Sequence, residues 1–256
     1  MSPKIDRLEQ RLDQARMRIK RSEDRQVIES VFDTKTLLVL YNLINQKVLN
    51  IVNGCISTGK EANVYWAVQP DGTDVAIKIY RISTFNFKRI TAYLEGDPRF
   101  TRVPRSRSAL ITAWASKEFK NLQRAERVGV RVPKPIIVKR NVLVMEFIGE
   151  EGLPAPLMQK VEPENPEETR DVLLRAISTL YHQANLVHAD LSEYNVMLWN
   201  EPVIIDVSQA VLLDHPYSNQ FFERDIRNIL SYFRYFNIPK LDTQQTIELI
   251  RRGELE

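Results

Sequence analysis

The sequence predicts a two-lobed α+β fold, with an antiparallel, β-rich first lobe and a mostly helical second lobe. Early strand-like runs are separated by a turn signal at Pro70-Asp71-Gly72, which indicates a meander. Prolines and acidic residues crowd positions 149–166 and indicate a hinge. Beyond that hinge, apolar residues recur mainly with helical spacing, so we expect helices there.

A helical extension is predicted over residues 1–47. Residues 3–30 contain few helix breakers and carry charges on most sides, which favours a helix. Asp33 is a candidate N-cap for a second helix, whose apolar side would include Leu37, Leu40 and Ile44. The extension therefore precedes the first predicted strand as a separate helical segment.

The predicted first lobe covers residues 48–148. Runs rich in β-branched and aromatic residues favour strands, and the candidates are residues 48–56, 62–68, 75–80, 136–138 and 141–147. Apolar positions with helical spacing predict one helix, over residues 114–127. The second lobe covers residues 149–256, with helices predicted at 167–185, 218–236 and 243–252 and short apolar runs at 196–199 and 203–207.

Residues 83–110 form a basic stretch that is predicted to be a flexible loop. From Arg81 to Leu110 seven basic residues oppose two acidic ones, which gives a net charge of +5. Such a run is either a solvated face or a mobile segment that meets an acidic or nucleic-acid partner, and the sequence leaves both open.

The composition of the sequence limits the classes of protein to which the chain can belong. Of the 256 residues 43% are hydrophobic and 27% charged, as in globular proteins. The single cysteine, Cys55, excludes an internal disulfide. The charged N-terminus lacks the apolar core of a secretory signal, and no run of about 18 apolar residues occurs. We therefore expect a cytoplasmic protein without a membrane partner.

A glycine-rich stretch raises two alternatives. Gly54-x-x-x-x-Gly59-Lys60 matches a P-loop until its last position, where Glu61 replaces the serine or threonine that ligates Mg²⁺. A P-loop must also open a helix, yet a strand-like run follows here. The second alternative is a phosphate-covering loop between antiparallel strands, as protein kinases have, with Ser57, Thr58, Gly59 and Lys60 against the phosphates.

The kinase alternative requires further parts in a fixed order. VAIK at residues 75–78 supplies a third-strand lysine, Lys78, to hold the α- and β-phosphates. That lysine needs a helical carboxylate, and Glu118 is the first candidate, with Glu126 on the same predicted helix as the alternative. Adenine would meet the backbone near the predicted hinge, at Glu146 and Ile148.

The strongest match is HADLSEYN at residues 188–195, which follows the kinase pattern H-R-D-L-x-x-x-N with alanine in place of arginine. Asp190 would act as the catalytic base, and Asn195 would ligate the metal through its amide oxygen. Asp206 ends a later apolar run, where kinases carry the metal aspartate of Asp-Phe-Gly. The sequence thus predicts a protein-kinase-like, bilobal fold.

These motifs together resemble the RIO family of atypical protein kinases over roughly residues 45–240. STGKEA at residues 57–62 and IDVSQ at residues 205–209 look most like its RIO-one subgroup. The resemblance implies ATP with Mg²⁺ or Mn²⁺, phosphorylation of serine or threonine, and a shortened second lobe. It also implies ATP hydrolysis through an aspartyl phosphate at Asp206, with Asp190 and Asp206 as catalytic residues.

The resemblance further implies partners. A role in maturation of the small ribosomal subunit would make a ribosomal precursor, both protein and rRNA, a partner. Within the basic stretch, Ser106 and Ser108 lie between arginines and are candidates for autophosphorylation. One alternative is an ATP-gated assembly factor whose main role is docking and release, and another is a kinase that acts on a small molecule.

Two departures from ordinary kinases bear on this hypothesis. Ala189 replaces the arginine that pairs with an activation-loop phosphate, and no A-P-E motif follows Asp206. Asp225 is either a brace for the catalytic loop or a surface residue.

Overall fold

The structure is a computed structural model that describes residues 33–81, 87–100 and 102–255. The helix predicted over residues 3–30 lies outside the described residues. The chain divides into two compact units. The sheet unit holds the described residues up to Arg81, together with Ser106–Ser116 and Ile136–Pro154; the helical unit holds the described residues from 87 to 105, together with Lys117–Pro135 and the chain from Ala155 onward.

A five-stranded antiparallel sheet dominates the sheet unit. Its strands are β1 (Ile51–Thr58), β2 (Ala62–Val68), β3 (Asp74–Tyr80), β4 (Pro135–Lys139) and β5 (Val142–Glu146). The strand order is β1-β2-β3-β5-β4, and β1, β2 and β3 pair as consecutive antiparallel neighbours. The predicted meander is therefore confirmed, although β1 begins and ends later than residues 48–56.

Helix α1 (Thr34–Asn45) packs against this sheet. Asp33 is its N-cap, and Oδ1 of Asp33 accepts a hydrogen bond from the backbone N–H of Thr36 at 2.7 Å, which stabilises the otherwise unpaired first turn. Leu40 and Leu43 are fully buried in the same core as Ile77. The predicted cap and apolar side are therefore both confirmed.

Five more helices and three short antiparallel strand pairs complete the described residues. The helices are α2 (Phe87–Leu94), α3 (Arg107–Arg127), α4 (Pro166–His182), α5 (Ser218–Phe233) and α6 (Thr243–Arg252). The strand pairs are β6 (Gly149–Glu150) with β7 (Leu153–Pro154), β8 (Leu186–Val187) with β11 (Val211–Leu212), and β9 (Val196–Trp199) with β10 (Glu201–Ile204). Across the described ranges, no helix has the length and apolar character needed to cross a bilayer.

The segment predicted to be a loop over residues 83–110 contains helical structure, and this part of the prediction needs correction. Helix α2 occupies residues 87–94, and α3 begins at Arg107, earlier than the predicted start at residue 114. Ile90, Tyr93 and Leu94 are buried and recur at helical spacing. The dense positive charge around these three residues concealed an apolar face that is only one turn long.

Gly152 offers a test of packing in the sheet unit. Both residues of the β6–β7 loop, Glu151 and Gly152, have positive φ angles (50° and 78°), as two-residue hairpin loops of type I′ require. A Cβ on Gly152 would lie 2.6 Å from the ring of Trp66. The Trp66 indole cannot easily yield, because it donates a 2.8 Å hydrogen bond to Asp74.

We therefore expect Gly152→Ala to lower the free energy of unfolding by about 2 kcal/mol or more, since backbone strain and overpacking add. Gly72→Ala is the matched control, because Gly72 also has a positive φ (91°) but an added Cβ would meet nothing within 4 Å. It should cost only the strain, about 1 kcal/mol. Urea unfolding measures both, and equal losses would refute the packing argument.

Candidate active site

The loop that carries the HADLSEYN motif lies in the helical unit, between two short strands. It leaves β8 at Val187, passes through Asp190, and forms a 3₁₀ turn over Glu193–Asn195 before β9 begins. Ala189 has a φ of 66°, in the left-handed region that is costly for a residue with a side chain. The loop must therefore be fixed by contacts around it.

Helix α5 supplies those contacts. The Asp225 carboxylate accepts hydrogen bonds from the backbone N–H groups of Ala189 (2.8 Å) and Leu191 (3.0 Å), the two neighbours of Asp190. Asn228 donates to the Leu191 carbonyl at 3.0 Å, and the Arg224 guanidinium donates to the Ala189 carbonyl. Of the two roles considered for Asp225, the structure thus selects the brace.

Asp190 and Asn195 lie close together within this loop. The Asn195 side-chain amide nitrogen donates to the backbone carbonyl of Asp190 at 2.7 Å. That bond fixes which way the amide faces and directs Oδ1 of Asn195 away from the Asp190 backbone. The Asp190 carboxylate accepts a 2.6 Å hydrogen bond at Oδ2 from the side chain of Gln209.

Asp206 follows β10 and precedes a 3₁₀ turn over Val207–Gln209. Its φ and ψ angles of 57° and 58° are left-handed, a conformation that aspartate and asparagine tolerate better than most residues. Oδ1 accepts a 2.8 Å hydrogen bond from the Ser208 hydroxyl. The preceding residue, Ile205, donates its N–H to the Asn195 carbonyl at 2.9 Å, which holds the two predicted metal ligands in neighbouring segments.

Two side chains of α3 that were not predicted from the sequence anchor the turn after Asp206. The Lys117 ammonium donates to the carbonyls of Ser208 (2.8 Å) and Ala210 (2.6 Å). The Asn121 amide donates to the carbonyls of Val207 (2.8 Å) and Ala210 (3.1 Å). The sequence carried no signal for either residue, because lysine and asparagine at an i, i+4 spacing on a charged helix are as typical of a solvated face.

The environment of Lys117 is unusual for an ammonium group. Lys117 is fully buried, and burial lowers its pKa well below the usual value; the charge of Arg99 acts in the same direction and that of Asp97 opposes it. Arg99 forms an ion pair with Asp97 at 2.6 Å and donates to the Asn121 amide oxygen at 2.6 Å. The turn after Asp206 is therefore tied to the segment that follows α2.

Glu118, the predicted partner of Lys78, follows Lys117 on α3 and is 1% exposed. A carboxylate so deeply buried needs a positive or hydrogen-bonding neighbour. Its pairing with Lys78 stays a prediction, as does the alternative with Glu126. Asp190 is half-buried and Asp206 is exposed, so the carboxylates of these two residues are open to solvent at least in part.

The sheet unit carries the predicted phosphate-binding residues. Ser57 and Thr58 end β1, and all four residues from Ser57 to Lys60 are exposed. The Gly59 N–H donates to the Ala62 carbonyl at 2.9 Å, and a Cβ on Gly59 would lie 2.9 Å from that oxygen. The loop therefore closes so tightly at Gly59 that a side chain would displace backbone.

Lys78 lies on β3 opposite Val64 and is 8% exposed. Its ammonium lies 5.4 Å from the centre of the Tyr80 ring, within cation–π range. Glu146 ends β5 opposite Val75, and Ile148 is buried two residues later. The backbone contacts expected of Glu146 and Ile148 stay predictions.

Ser106 and Ser108 lie at the start of α3 rather than in an irregular loop. The Ser106 hydroxyl accepts from the Ala109 N–H at 3.3 Å, as an N-cap does, and Ser108 is in the first turn. A phosphate at either residue would meet the positive end of the helix dipole. Autophosphorylation at these serines stays a prediction.

Asp225 also gives the site a pH dependence. Burial raises the pKa of Asp225 to about 7, against the opposing effect of the hydrogen bonds from Leu191 and Ala189. The folded protein then retains a proton that the unfolded chain releases near pH 4. The stability that Asp225 contributes is therefore present at low pH and is lost as pH rises from about 4 through 7, by up to roughly 1.4 kcal/mol per pH unit.

We expect Asp225→Asn to remove this slope. Urea unfolding of both proteins between pH 5 and 8 measures it: the wild-type free energy of unfolding should fall with pH relative to that of the variant. A constant difference between the two across this range would contradict a raised pKa at Asp225.

Comparison with known proteins agrees with the geometry. A family model described as the RIO domain matches residues 63–246. The RIO-type serine/threonine-protein kinase Rio1 of Haloferax volcanii is 46% identical over 87% of this chain and 77% of its own length. Rio1 of Methanocaldococcus jannaschii is 39% identical, over 83% and 73% respectively.

Eukaryotic relatives are longer than the matched region. Serine/threonine-protein kinase RIO1 of Homo sapiens is 38% identical over 91% of this chain, but the match spans only 42% of the human protein. The corresponding share of the Caenorhabditis elegans RIO1 protein is 48%. The chain therefore spans about half the length of these curated relatives, or somewhat less.

A solved structure shows the fold. The Rio2 kinase of Chaetomium thermophilum superposes with a TM-score of 0.63 at 24% identity, covering 83% of this chain and 66% of that chain. A second crystal structure of that protein, an ADP/Mg²⁺-phosphoaspartate complex, gives the same score. The fold is the kinase-like α+β fold, and the chain belongs to the RIO family of atypical serine/threonine-protein kinases, as a member of the Rio1 type.

Proposed function

We propose that the chain is an ATP- and Mg²⁺-dependent kinase that transfers the γ-phosphoryl group of ATP to a serine or threonine hydroxyl. The observation that carries this proposal is the single hydrogen-bonded loop system that holds Asp190, Asn195 and Asp206. Protein kinases use three such groups, a carboxylate as the base and an amide oxygen and a second carboxylate as metal ligands. The names of the curated relatives support the same activity.

The donor set fits Mg²⁺. Asn195 and Asp206 offer only oxygen ligands, which hard cations prefer, and the amide nitrogen of Asn195 is already bound to the Asp190 carbonyl. Within residues 33–81, 87–100 and 102–255, no three acidic, histidine or cysteine side chains form a closed cage. Mg²⁺ commonly takes one or two protein carboxylates together with phosphate oxygens. When bound, it would neutralise charge on the phosphates during transfer.

The remaining residues divide the work of binding and proton transfer. The hydroxyl oxygen of the acceptor bonds to the γ-phosphorus while Asp190 accepts the hydroxyl proton. The bond between the γ-phosphorus and the bridging oxygen of the β-phosphate then breaks, and ADP is released. Lys78 holds the α- and β-phosphates, oriented by Glu118. Residues Ser57 to Lys60 cover the phosphates, and the backbone at Glu146 and Ile148 holds adenine.

ATP hydrolysis through an aspartyl phosphate is a second candidate. The Chaetomium thermophilum structure contains a phosphoaspartate, and in this chain Asp206 is exposed, with its Oδ1 accepting a hydrogen bond from Ser208. In this alternative, an Asp206 oxygen attacks the γ-phosphorus, ADP leaves, and water then hydrolyses the acyl phosphate. Mn²⁺ could replace Mg²⁺ in either reaction.

A role on a ribosomal precursor is the third part of the proposal. The stretch from Arg81 to Leu110 carries a net charge of +5, which suits rRNA, and ATP turnover would govern docking and release from the small subunit in the cytoplasm. Reversing the charge of Arg102 and Arg105 should weaken binding to precursor particles. Binding that ignores both this change and ATP would refute the role.

Label transfer from γ-labelled ATP tests the activity. In the presence of Mg²⁺, a kinase places label on serine, on itself or on an added protein, whereas an ATPase of the proposed kind places it transiently on a hydroxylamine-labile aspartyl group and then on free phosphate. Label on added small molecules alone would favour a small-molecule kinase. No transfer of any kind would refute the proposed function.

A further inference from the structure

The proposed mechanism does not use the hydrogen bond between Gln209 and Asp190. The Gln209 side-chain nitrogen donates to Oδ2 of Asp190 at 2.6 Å, and the two residues are 19 positions apart in the chain. Gln209 is 9% exposed. A buried amide that donates to a carboxylate forms a charge-assisted hydrogen bond, stronger than a bond between neutral groups.

Gln209 cannot drift from this position, because its backbone is held on both sides. The carbonyls of Val207, Ser208 and Ala210 all accept hydrogen bonds from Asn121 or Lys117. The Val207–Gln209 segment is a 3₁₀ turn whose residues are all buried. Such anchoring keeps a side chain in one place at little entropic cost at the moment of reaction.

The same turn serves the other carboxylate. Ser208 donates to Oδ1 of Asp206 at 2.8 Å, while the next residue, Gln209, donates to Asp190. Ordinary kinases carry phenylalanine and glycine after the metal aspartate, and neither can donate a side-chain hydrogen bond. Ser208 occupies the glycine position of that motif and adds one donor to the site, and Gln209, the residue after the motif, adds a second.

We infer that Gln209 is a positioning residue, which holds the Asp190 carboxylate by Oδ2 so that Oδ1 meets the hydroxyl of the acceptor. This inference rests on the proposed kinase function. Asp225 fixes only the backbone on either side of Asp190, so it leaves rotation of the carboxylate undetermined. Gln209 acts on the carboxylate itself, at Oδ2, and it links the turn after the metal aspartate to the base.

Three variants of the full chain test the inference. Gln209→Met retains length without a hydrogen bond, Gln209→Glu places a second carboxylate against Asp190, and Gln220→Glu is the matched control for charge because Gln220 is exposed on α5. We expect kcat for phosphoryl transfer to fall about 10- to 100-fold in Gln209→Met, as loss of a charge-assisted bond predicts. Gln209→Glu should fall further, and Gln220→Glu should match the wild type.

Two readouts separate positioning from a general structural role. The Kd for a fluorescent ADP analogue should stay within about twofold of wild type in Gln209→Met, because Asp190 does not bind the nucleotide. In single-turnover measurements, Gln209→Met should cause no further loss in an Asp190→Asn background, since there is then no base to position. A structural role would lower the residual rate in both backgrounds.

The outcomes are distinguishable. Wild-type protein that transfers no phosphate refutes the proposed function itself. Wild-type activity together with an unchanged kcat in Gln209→Met refutes the inference alone. A raised nucleotide Kd, or equal losses with and without Asp190, would assign Gln209 to folding instead.

Discussion

Asp190→Asn is expected to reduce the rate of phosphoryl transfer by about 10²- to 10⁴-fold, the usual contribution of a general base. Asparagine matches the size of aspartate but cannot accept a proton at neutral pH. The loop itself should persist, because the bonds that shape it run from Asp225 to the backbone N–H groups of Ala189 and Leu191. Single-turnover assays with labelled ATP measure the loss.

Asp214→Asn is the matched control, since Asp214 is an exposed aspartate of the same unit. It should retain the wild-type rate. Circular dichroism and urea unfolding should give the same fold for both variants, with stability changed by no more than about 1 kcal/mol in Asp214→Asn. An Asp190→Asn variant that transfers phosphate at the wild-type rate would remove Asp190 from the mechanism.

The second large effect is expected at Asp206. Asp206→Asn removes a negative charge that strengthens Mg²⁺ binding, yet keeps a residue that tolerates the left-handed angles of 57° and 58°. The Ser208 hydroxyl can still donate to the side-chain oxygen of asparagine. We therefore expect a folded protein whose ATP turnover falls at least 10²-fold, because Mg²⁺ is no longer held against the phosphates.

Metal dependence distinguishes this variant from Asp190→Asn. Raising the Mg²⁺ concentration should recover part of the Asp206→Asn rate but none of the Asp190→Asn rate. The aspartyl phosphate should also be absent from Asp206→Asn if hydrolysis proceeds through that residue. Turnover by Asp206→Asn at the wild-type rate and the same Mg²⁺ requirement would contradict the assignment.

The sheet was predictable because its signals are local. β2 was predicted over the residues that form it, Ala62–Val68, and β-branched and aromatic residues at short range carry that information. The position of Lys78 on the third strand was predictable from the VAIK motif. The Asp33 cap was likewise predictable, since an N-cap depends on residues within one turn.

The contacts that fix the candidate site were not predictable, because they join distant parts of the chain. Lys117 binds the Ser208 carbonyl across 91 positions, and Asn121 binds the Val207 carbonyl across 86. No local pattern distinguishes these two polar residues from others on a charged helix. The role of Asp225 stayed open for the same reason. Gln209 was part of the IDVSQ motif, but the motif did not indicate its contact with Asp190.

Helix α2 was missed for a different reason. Its buried residues, Ile90, Tyr93 and Leu94, make a single apolar turn within a stretch where basic residues dominate. Hydrophobic periodicity needs a window of about 11 residues or more to be recognised, and α2 spans only Phe87–Leu94. Packing against the rest of the helical unit, rather than intrinsic propensity, therefore defines this element.

Calorimetric titration of a non-hydrolysable ATP analogue, with and without Mg²⁺, shows whether this chain binds the metal and the nucleotide together. We expect Mg²⁺ to tighten binding of the analogue to the wild type and to Asp214→Asn, but not to Asp206→Asn. Wild-type binding that is the same with and without Mg²⁺, or absent under both conditions, would refute an ATP- and Mg²⁺-dependent kinase.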